Sequence, residues 1–120
     1  MAYLKDYQTG RILLTIDGDY VKDYQTGRYY YKLNGDYISN YQTGRHLYSI
    51  SGGYVKDYST GRNILSIDNS YVKNYITGSI IATYDTSYIK DYRTGRYLYK
   101  FDGFLSRREI VALLAILFAV

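Results

Sequence analysis

Along most of the chain, short apolar stretches alternate with polar, glycine-marked ones, and the alternation returns every 17 residues. The segment "YVKDYQTGRYYYKLNGD", Tyr20 to Asp36, is one period. Six such units begin at Tyr3, Tyr20, Tyr37, Tyr54, Tyr71 and Tyr88, with no insertion between them. A fixed period marks a repeat array. The array occupies residues 1–104, and residues 105–120, "LSRREIVALLAILFAV", are a segment of another kind.

With each unit numbered 1 to 17, positions 1–5 and 9–14 are rich in Tyr, Val, Ile and Leu and read as strands. "DG" or "NG" at positions 15 and 16 is a two-residue hairpin signal, expected as a type I′ turn. "QTG" at positions 6–8 suits a three-residue loop closing a bulge. These turns pair position 5 with 9, 3 with 11 and 1 with 13 inside a unit. Between units they pair 13 with the next 1, 11 with the next 3 and 9 with the next 5. The expectation is a single antiparallel meander of about twelve strands. That register has no net stagger, whereas closed barrels need one, so the sheet is expected to be open and curved. A parallel β-solenoid is the alternative; it would stack Lys on Lys and Asp on Asp, which like-charge repulsion disfavours.

Side chains alternate between faces along a strand. One face is expected to carry positions 1, 3, 5, 9, 11 and 13, in the second unit Tyr20, Lys22, Tyr24, Arg28, Tyr30 and Lys32. The other carries positions 2, 4, 10, 12, 14 and 17: Val21, Asp23, Tyr29, Tyr31, Leu33 and Asp36. Its positions 2 and 14 form an apolar band from Leu4 and Ile16 to Ile89 and Phe101.

The terminal segment predicts a helix. "SRRE" is a capping box with Ser106 as N-cap and Glu109 at N3, and Leu105 and Ile110 are placed as a hydrophobic staple. Arg107 and Arg108 oppose the helix dipole. Every residue from Ile110 to Val120 is apolar, and a helix apolar all round must be buried. The expected site is one face of the sheet. Eleven apolar residues rise only about 16 Å, against about 20 residues for a membrane span, so membrane insertion is not expected. One helix cannot cover twelve strands, so a leftover apolar strip and two open edges imply self-association into a homo-oligomer. The candidate contacts are Ile80, Ile81, Ile110, Leu113, Leu114, Leu117 and Phe118. Ile80 and Ile81 belong to the fifth unit, where Ser79 replaces the usual Arg, Thr86 the turn glycine, and Ile76 sits in a turn.

Composition removes several chemistries. With no Cys there is no disulfide, thiolate metal site or cysteine nucleophile. The absence of Pro suits a chain of paired strands. The start "MAYLKDYQTG" lacks a basic stretch followed by an apolar run, so no signal peptide is read and a cytoplasmic location is expected. His46 is the only histidine and stands where other units have Ile, Tyr or Asn. The "DGD" at Asp17–Asp19 lacks the remaining ligands of a calcium loop. No nucleophile–base pair or phosphate loop appears, and neither enzyme activity nor a cofactor or metal is expected.

The formal charge is +4, and its placement is what matters. Lys and Arg collect on the first face beside tyrosines, a pattern that suits an anionic polymer or a lipid head group through charge and ring stacking. The candidate ligand face is Tyr7, Arg11, Tyr24, Arg28, Tyr41, Arg45, Tyr58, Arg62, Tyr92 and Arg96, with Lys22 and Lys56. Each arginine is expected between two tyrosines, Arg28 beside Tyr24 and Tyr41.

The stretch "GDYVKDYQTGRYYYKLNGDY" resembles the hairpin repeats of MORN proteins, and "YQTGR…DG" is more distantly similar to the YD repeats of Rhs proteins. Both are tandem β-hairpin arrays, and the likeness runs from Tyr3 to Gly103. It departs at Lys22, where MORN units carry glycine, and at Asp23, which precedes Tyr24 rather than following it. The resemblance implies a non-enzymatic scaffold or protein-interaction module, with phospholipid contact on the MORN side, and no catalytic residue.

Overall fold

The structure, a computed structural model, describes residues 1–119; Val120, the last residue of the predicted helix, lies outside the described residues. Twelve strands run in chain order: β1 Ala2–Asp6, β2 Ile12–Asp17, β3 Tyr20–Asp23, β4 Tyr29–Asn34, β5 Tyr37–Asn40, β6 His46–Ser51, β7 Tyr54–Asp57, β8 Asn63–Ile67, β9 Tyr71–Asn74, β10 Ile80–Tyr84, β11 Tyr88–Asp91 and β12 Tyr97–Asp102. One helix follows, α1 Arg107–Phe118. Each 17-residue unit supplies two strands.

Every strand pairs antiparallel with its neighbour in sequence, and β12 pairs with β1, so the sheet is a closed barrel. This corrects the expected open sheet, and the parallel solenoid with it. The cause is a two-residue difference in register between units. Inside the second unit Tyr20 faces Lys32, as the spacing predicts. Lys32 then faces Ser39, position 3 of the next unit, not position 1. The tight turn is therefore centred one residue later, on positions 16 and 17. In the first unit the turn residues are Gly18 and Asp19, with Asp17 paired to Tyr20. Gly18 has φ +62° and no described non-glycine residue has positive φ. Only the first turn residue is left-handed, which the type II′ turn requires and the expected type I′ turn does not. Each unit thus advances the pairing by two residues. The same step joins the sixth unit to the first, where Lys100 faces Lys5. Six equal steps supply the stagger that closure needs.

A second correction lies within the units. The loop has four residues, not three: Asp23 N–H donates to the Arg28 carbonyl at 2.8 Å and Gly27 N–H to the Asp23 carbonyl at 2.9 Å. Position 3 then pairs with 10, and position 2 with 12, leaving position 11 as a bulge residue in all six units. A bulge re-aims the side chains around it. Here it moves position 10 (Ile12, Tyr29, His46, Asn63, Ile80, Tyr97) from the expected inner face to the outer one.

The inner face is the apolar band. Leu4, Val21, Ile38, Val55, Val72 and Ile89 at position 2 are all buried, as are Ile16, Leu33, Ile67, Tyr84 and Phe101 at position 14. They enclose α1, whose residues Ile110 to Ile116 are buried in unbroken succession. Seven consecutive helical residues point in every direction around the axis, so the wall surrounds the helix. This corrects the expected packing on one sheet face. The capping box forms as read: Glu109 N–H donates to Ser106 Oγ at 3.2 Å and Ser106 N–H to Glu109 Oε1 at 2.8 Å.

The two arginines that oppose the dipole anchor the helix start to the turns of the barrel. Arg108 donates to the carbonyls of Gly35 (2.9 Å) and Leu33 (3.3 Å) and lies 3.7 Å from the Asp19 carboxylate. Arg107 donates to the Tyr84 hydroxyl and, at 3.0 Å, to the Asp68 carbonyl. These partners lie on different sides of the barrel mouth. The mouth formed by the tight turns, where α1 begins, is the upper rim; the mouth formed by the "DYQTGR" loops is the lower rim.

Candidate functional site

The recurring hexapeptide builds the lower rim. The Asp23 carboxylate accepts from Thr26 N–H at 2.8 Å and from the Thr26 hydroxyl at 2.6 Å, and Thr26 Oγ1 accepts from Arg28 N–H at 3.3 Å. The same network forms at Asp6, Asp57 and Asp91. Where Asn replaces Asp, at Asn40 and Asn74, the amide oxygen accepts two backbone amides and the hydroxyl bond is absent. Donation from the threonine holds the pKa of Asp6, Asp23, Asp57 and Asp91 below the ordinary carboxylate value, the threonine hydroxyl being the largest cause. The aspartates are thus committed to the loops.

The arginines of the same loops are not. Arg11, Arg28, Arg45, Arg62, Arg93 and Arg96 are all exposed. None appears in an ion pair among the described residues, where the three pairs are Lys5–Asp102, Lys22–Asp17 and Arg108–Asp19. Two of those pairs place position-15 aspartates on the outer wall, which the face sorting assigned to cations alone.

Above the arginines runs a belt of tyrosines. The tyrosine at position 1 of each unit meets the position-5 tyrosine of the next unit edge to face. The pairs are Tyr3–Tyr24 (5.9 Å between centroids), Tyr20–Tyr41 (5.7 Å), Tyr37–Tyr58 (5.6 Å), Tyr54–Tyr75 (5.7 Å) and Tyr71–Tyr92 (6.4 Å). Tyr88–Tyr7 (5.9 Å) closes the ring across the β12–β1 seam. In three units an aromatic at position 10 joins the pair: Tyr29, His46 and Tyr97. Each edge-to-face pair contributes about 0.5–1.5 kcal/mol beyond its buried area. The position-5 rings keep 44–50% of their surface exposed.

Lysines, not arginines, cover the rings. Lys22 lies 5.1 Å from the Tyr29 centroid, Lys32 5.8 Å from Tyr20 and Lys90 4.7 Å from Tyr97. The expected Arg28–Tyr24–Tyr41 sandwich does not form, because the bulge carries Tyr29 into the place between Tyr20 and Tyr41. The third unit departs from the rule. Ser39 stands at the lysine position, and its buried Oγ lies 2.7 Å from His46 Nδ1, while the His46 ring stacks on Tyr37 at 4.4 Å. His46 completes a tyrosine cluster. Among the described residues no group of three His, Cys, Asp or Glu could hold a metal ion.

The structure therefore brings Tyr7, Tyr24, Tyr41, Tyr58, Tyr92, Lys22 and Lys56 onto one outer wall, with Arg11, Arg28, Arg45, Arg62 and Arg96 along its lower edge. Sequence reading missed Tyr29 and Tyr97, assigned to the inner face, and left Tyr75 and the whole position-1 row, Tyr3 to Tyr88, out of the candidate set. The position-1 row was visible in the repeat; the bulge that aims position 10 outward was not. The candidate association residues divide. Ile110, Leu113 and Leu114 are enclosed in the barrel, Leu117 and Phe118 are half-buried at the end of the helix, and Ile80 and Ile81 are half-buried in the wall. Among the described residues no helix is long and apolar enough to cross a membrane. No protein-family model matches the chain, and no curated protein or solved structure does.

Proposed function

We propose that this chain is a non-enzymatic binding module whose outer wall and lower rim take an anionic ligand, a polymer or a head group rich in phosphate, sulfate or carboxylate. One observation carries the reading: six exposed arginines without ion-pair partners stand in a ring beside half-exposed tyrosine rings. Guanidinium groups offer paired donors to phosphate and carboxylate. Half-exposed tyrosines offer faces for bases or sugars. Each lower-rim aspartate accepts from threonine through Oδ2 and keeps its charge, and the six arginines outnumber the four aspartates there. The self-association expected first from the sequence, through open edges and an uncovered apolar face, loses those two features on closure of the barrel.

The test is retention on immobilised heparin and oligothymidylate, and on vesicles containing phosphatidylserine, across a salt series. Contacts to single-stranded phosphates give a slope of log affinity against log salt of about −0.7 per contact. The triple change Arg28→Ala, Arg45→Ala and Arg62→Ala lowers affinity and flattens that slope on whichever matrix binds. If binding occurs on none of the three, or persists unchanged in the triple variant, the reading fails. Tyr24→Ala and Tyr41→Ala separate the sources: they weaken oligothymidylate binding by loss of stacking and leave heparin nearly unchanged.

A further inference from the structure

In most of the repeat, cation and carboxylate come and go together. Arg11, Arg28, Arg62 and Arg96 each share a loop with an aspartate at position 4, and the fifth unit, which has Ser79 for the arginine, has Asn74 for the aspartate. Only the third unit keeps the arginine, Arg45, and loses the aspartate, having Asn40. A second pairing joins position 15 of one unit to position 3 of the next. Asp102 lies 3.0 Å from Lys5 and Asp17 3.7 Å from Lys22. Asp68 and Asp85 stand in the same relation to Lys73 and Lys90, and Asn34 to Ser39, where both charges are absent. Lys56 is the exception, because Ser51 takes the carboxylate position. No Asp or Glu occurs from Tyr37 to Lys56.

The missing carboxylates matter to the cations left behind. The pKa of Asp6 and of Asp23 is lowered first by bonds from Thr9 and Thr26, and further by the charge of Arg11 and Arg28, so arginine and aspartate act on each other within a loop. Arg45 is exposed and has no such neighbour in its own loop. Lys32 faces Ser39 across the strands, and Lys56 faces Ser49. The belt has three clusters of three rings, and two of them lie side by side over this sector: Tyr20–Tyr29–Tyr41 and Tyr37–His46–Tyr58. Tyr29, Tyr41 and Tyr58 present exposed surface there. Cations without carboxylates beside exposed rings are what a strand of stacked bases and phosphates requires, whatever its sequence.

We propose that the anionic ligand is single-stranded nucleic acid and that the third unit is its seat, with phosphates on Lys32, Arg45 and Lys56 and bases on Tyr29, Tyr41 and Tyr58. This rests on the reading that the outer wall and lower rim take an anionic ligand.

The sister units supply the test. Asn40→Asp and Ser51→Asp return carboxylates that other units already carry at those positions, so the loop and the turn accept them. Asn74→Asp makes the same loop change in the unit without a loop arginine and is the control. Binding of a fluorescein-labelled oligothymidylate to the full chain is followed by anisotropy across a salt series, with retention on heparin and on phosphatidylserine vesicles measured beside it. Asn40→Asp combined with Ser51→Asp is expected to weaken oligothymidylate binding about tenfold or more and to flatten the salt slope by about 0.7 for each cation neutralised. Asn74→Asp is expected to leave both unchanged. Equal loss in the two variants, or loss in neither, overturns the third-unit seat. A wild type that binds heparin or vesicles but not oligothymidylate overturns this inference and leaves the anionic reading standing. A wild type that binds none of the three overturns both.

Discussion

Enclosure of α1 by the wall makes a prediction that no one-sided packing shares. At about 100° per residue Ile110, Leu114 and Val111 share one arc of the helix, and Ile116 lies on the side opposite to it. All four are buried: Ile110 is 5% exposed, Val111 7%, Leu114 0% and Ile116 8%. A helix laid on one face of a sheet would leave part of this set toward solvent. Replacing a buried Ile or Leu by Ala costs about 2–5 kcal/mol, as lost transfer energy plus the cavity that remains. Ile110→Ala, Leu114→Ala and Ile116→Ala should each fall in that range. Leu114 should stand at its upper end, because no surface remains to relax into the space. Val111→Ala removes less and should cost about 1–2 kcal/mol, part of the roughly 1.5–3 kcal/mol for burying a whole valine. The assay is urea unfolding of each variant at matched slope, so that midpoints report stability alone. A surface change normally stays within about 0.5 kcal/mol. If Ile116→Ala unfolds within that margin of wild type while Ile110→Ala and Leu114→Ala do not, the helix packs on one side only and the barrel reading is refuted.

Two further predictions follow from the loops and the rim. Asp6, Asp23, Asp57 and Asp91 have folded-state pKa values lowered by donation from Thr9, Thr26, Thr60 and Thr94. A lowered carboxylate pKa gives stability that is complete above the unfolded value and is lost as pH falls through the folded one. The urea midpoint should therefore be flat from about pH 7 to 5 and fall below about pH 4, and Thr26→Val with Thr94→Val should make the acid limb shallower; an unchanged limb would contradict the assignment. Arg108→Ala removes donation to the Gly35 and Leu33 carbonyls and should cost about 1–2 kcal/mol, the lower part of the range for bonds from a charged donor, since the group is half exposed. Arg108→Lys should restore less than half of it, because an ammonium cannot span two carbonyls as the guanidinium does.

The repeat was legible because its chemistry is local. Strand alternation, glycine-marked turns, the capping box at Ser106 and Glu109 and the apolar helix all follow from neighbours in sequence. The inner band came out right because positions 2 and 14 keep their parity under a two-residue shift. What escaped was the placing of single residues. "DG" permits a turn centred on either of two residue pairs, and only the geometry around Gly18 and Asp19 chooses between them. The bulge at position 11 has no residue signature: Leu13, Tyr30, Leu47, Ile64, Ile81 and Leu98 are ordinary strand formers. Without the bulge Tyr29 points inward, and the ligand face is drawn with arginines between tyrosines where the molecule has tyrosines and histidine. Five of the lower-rim arginines stand in the repeated word itself and so were named from the sequence; Arg93, at the variable position 6, was not.

The array and the helix also explain each other's size. Every unit adds two strands and two residues of stagger, so the strand tilt stays at about 35° whatever the number of units. Only the radius changes. For an ideal cylinder it is about 9 Å with five units, 11 Å with six and 13 Å with seven. A helix with its side chains has a radius of about 5–6 Å, and the inward side chains of the wall occupy about as much again on the roughly 10 Å spacing of packed layers. Five units would crush that arrangement and seven would leave a void around the helix, which interiors of native density do not hold. Only six let a single apolar helix meet the wall on all sides. Ala112 and Ala115, 2% and 0% exposed, are buried beside leucines of 1% and 0%, so small residues approach the wall where large ones would overfill it. A repeat that sets the tilt and a helix that sets the radius together fix the count of units, and the regular outer belt of tyrosines and cations is a consequence of that closure.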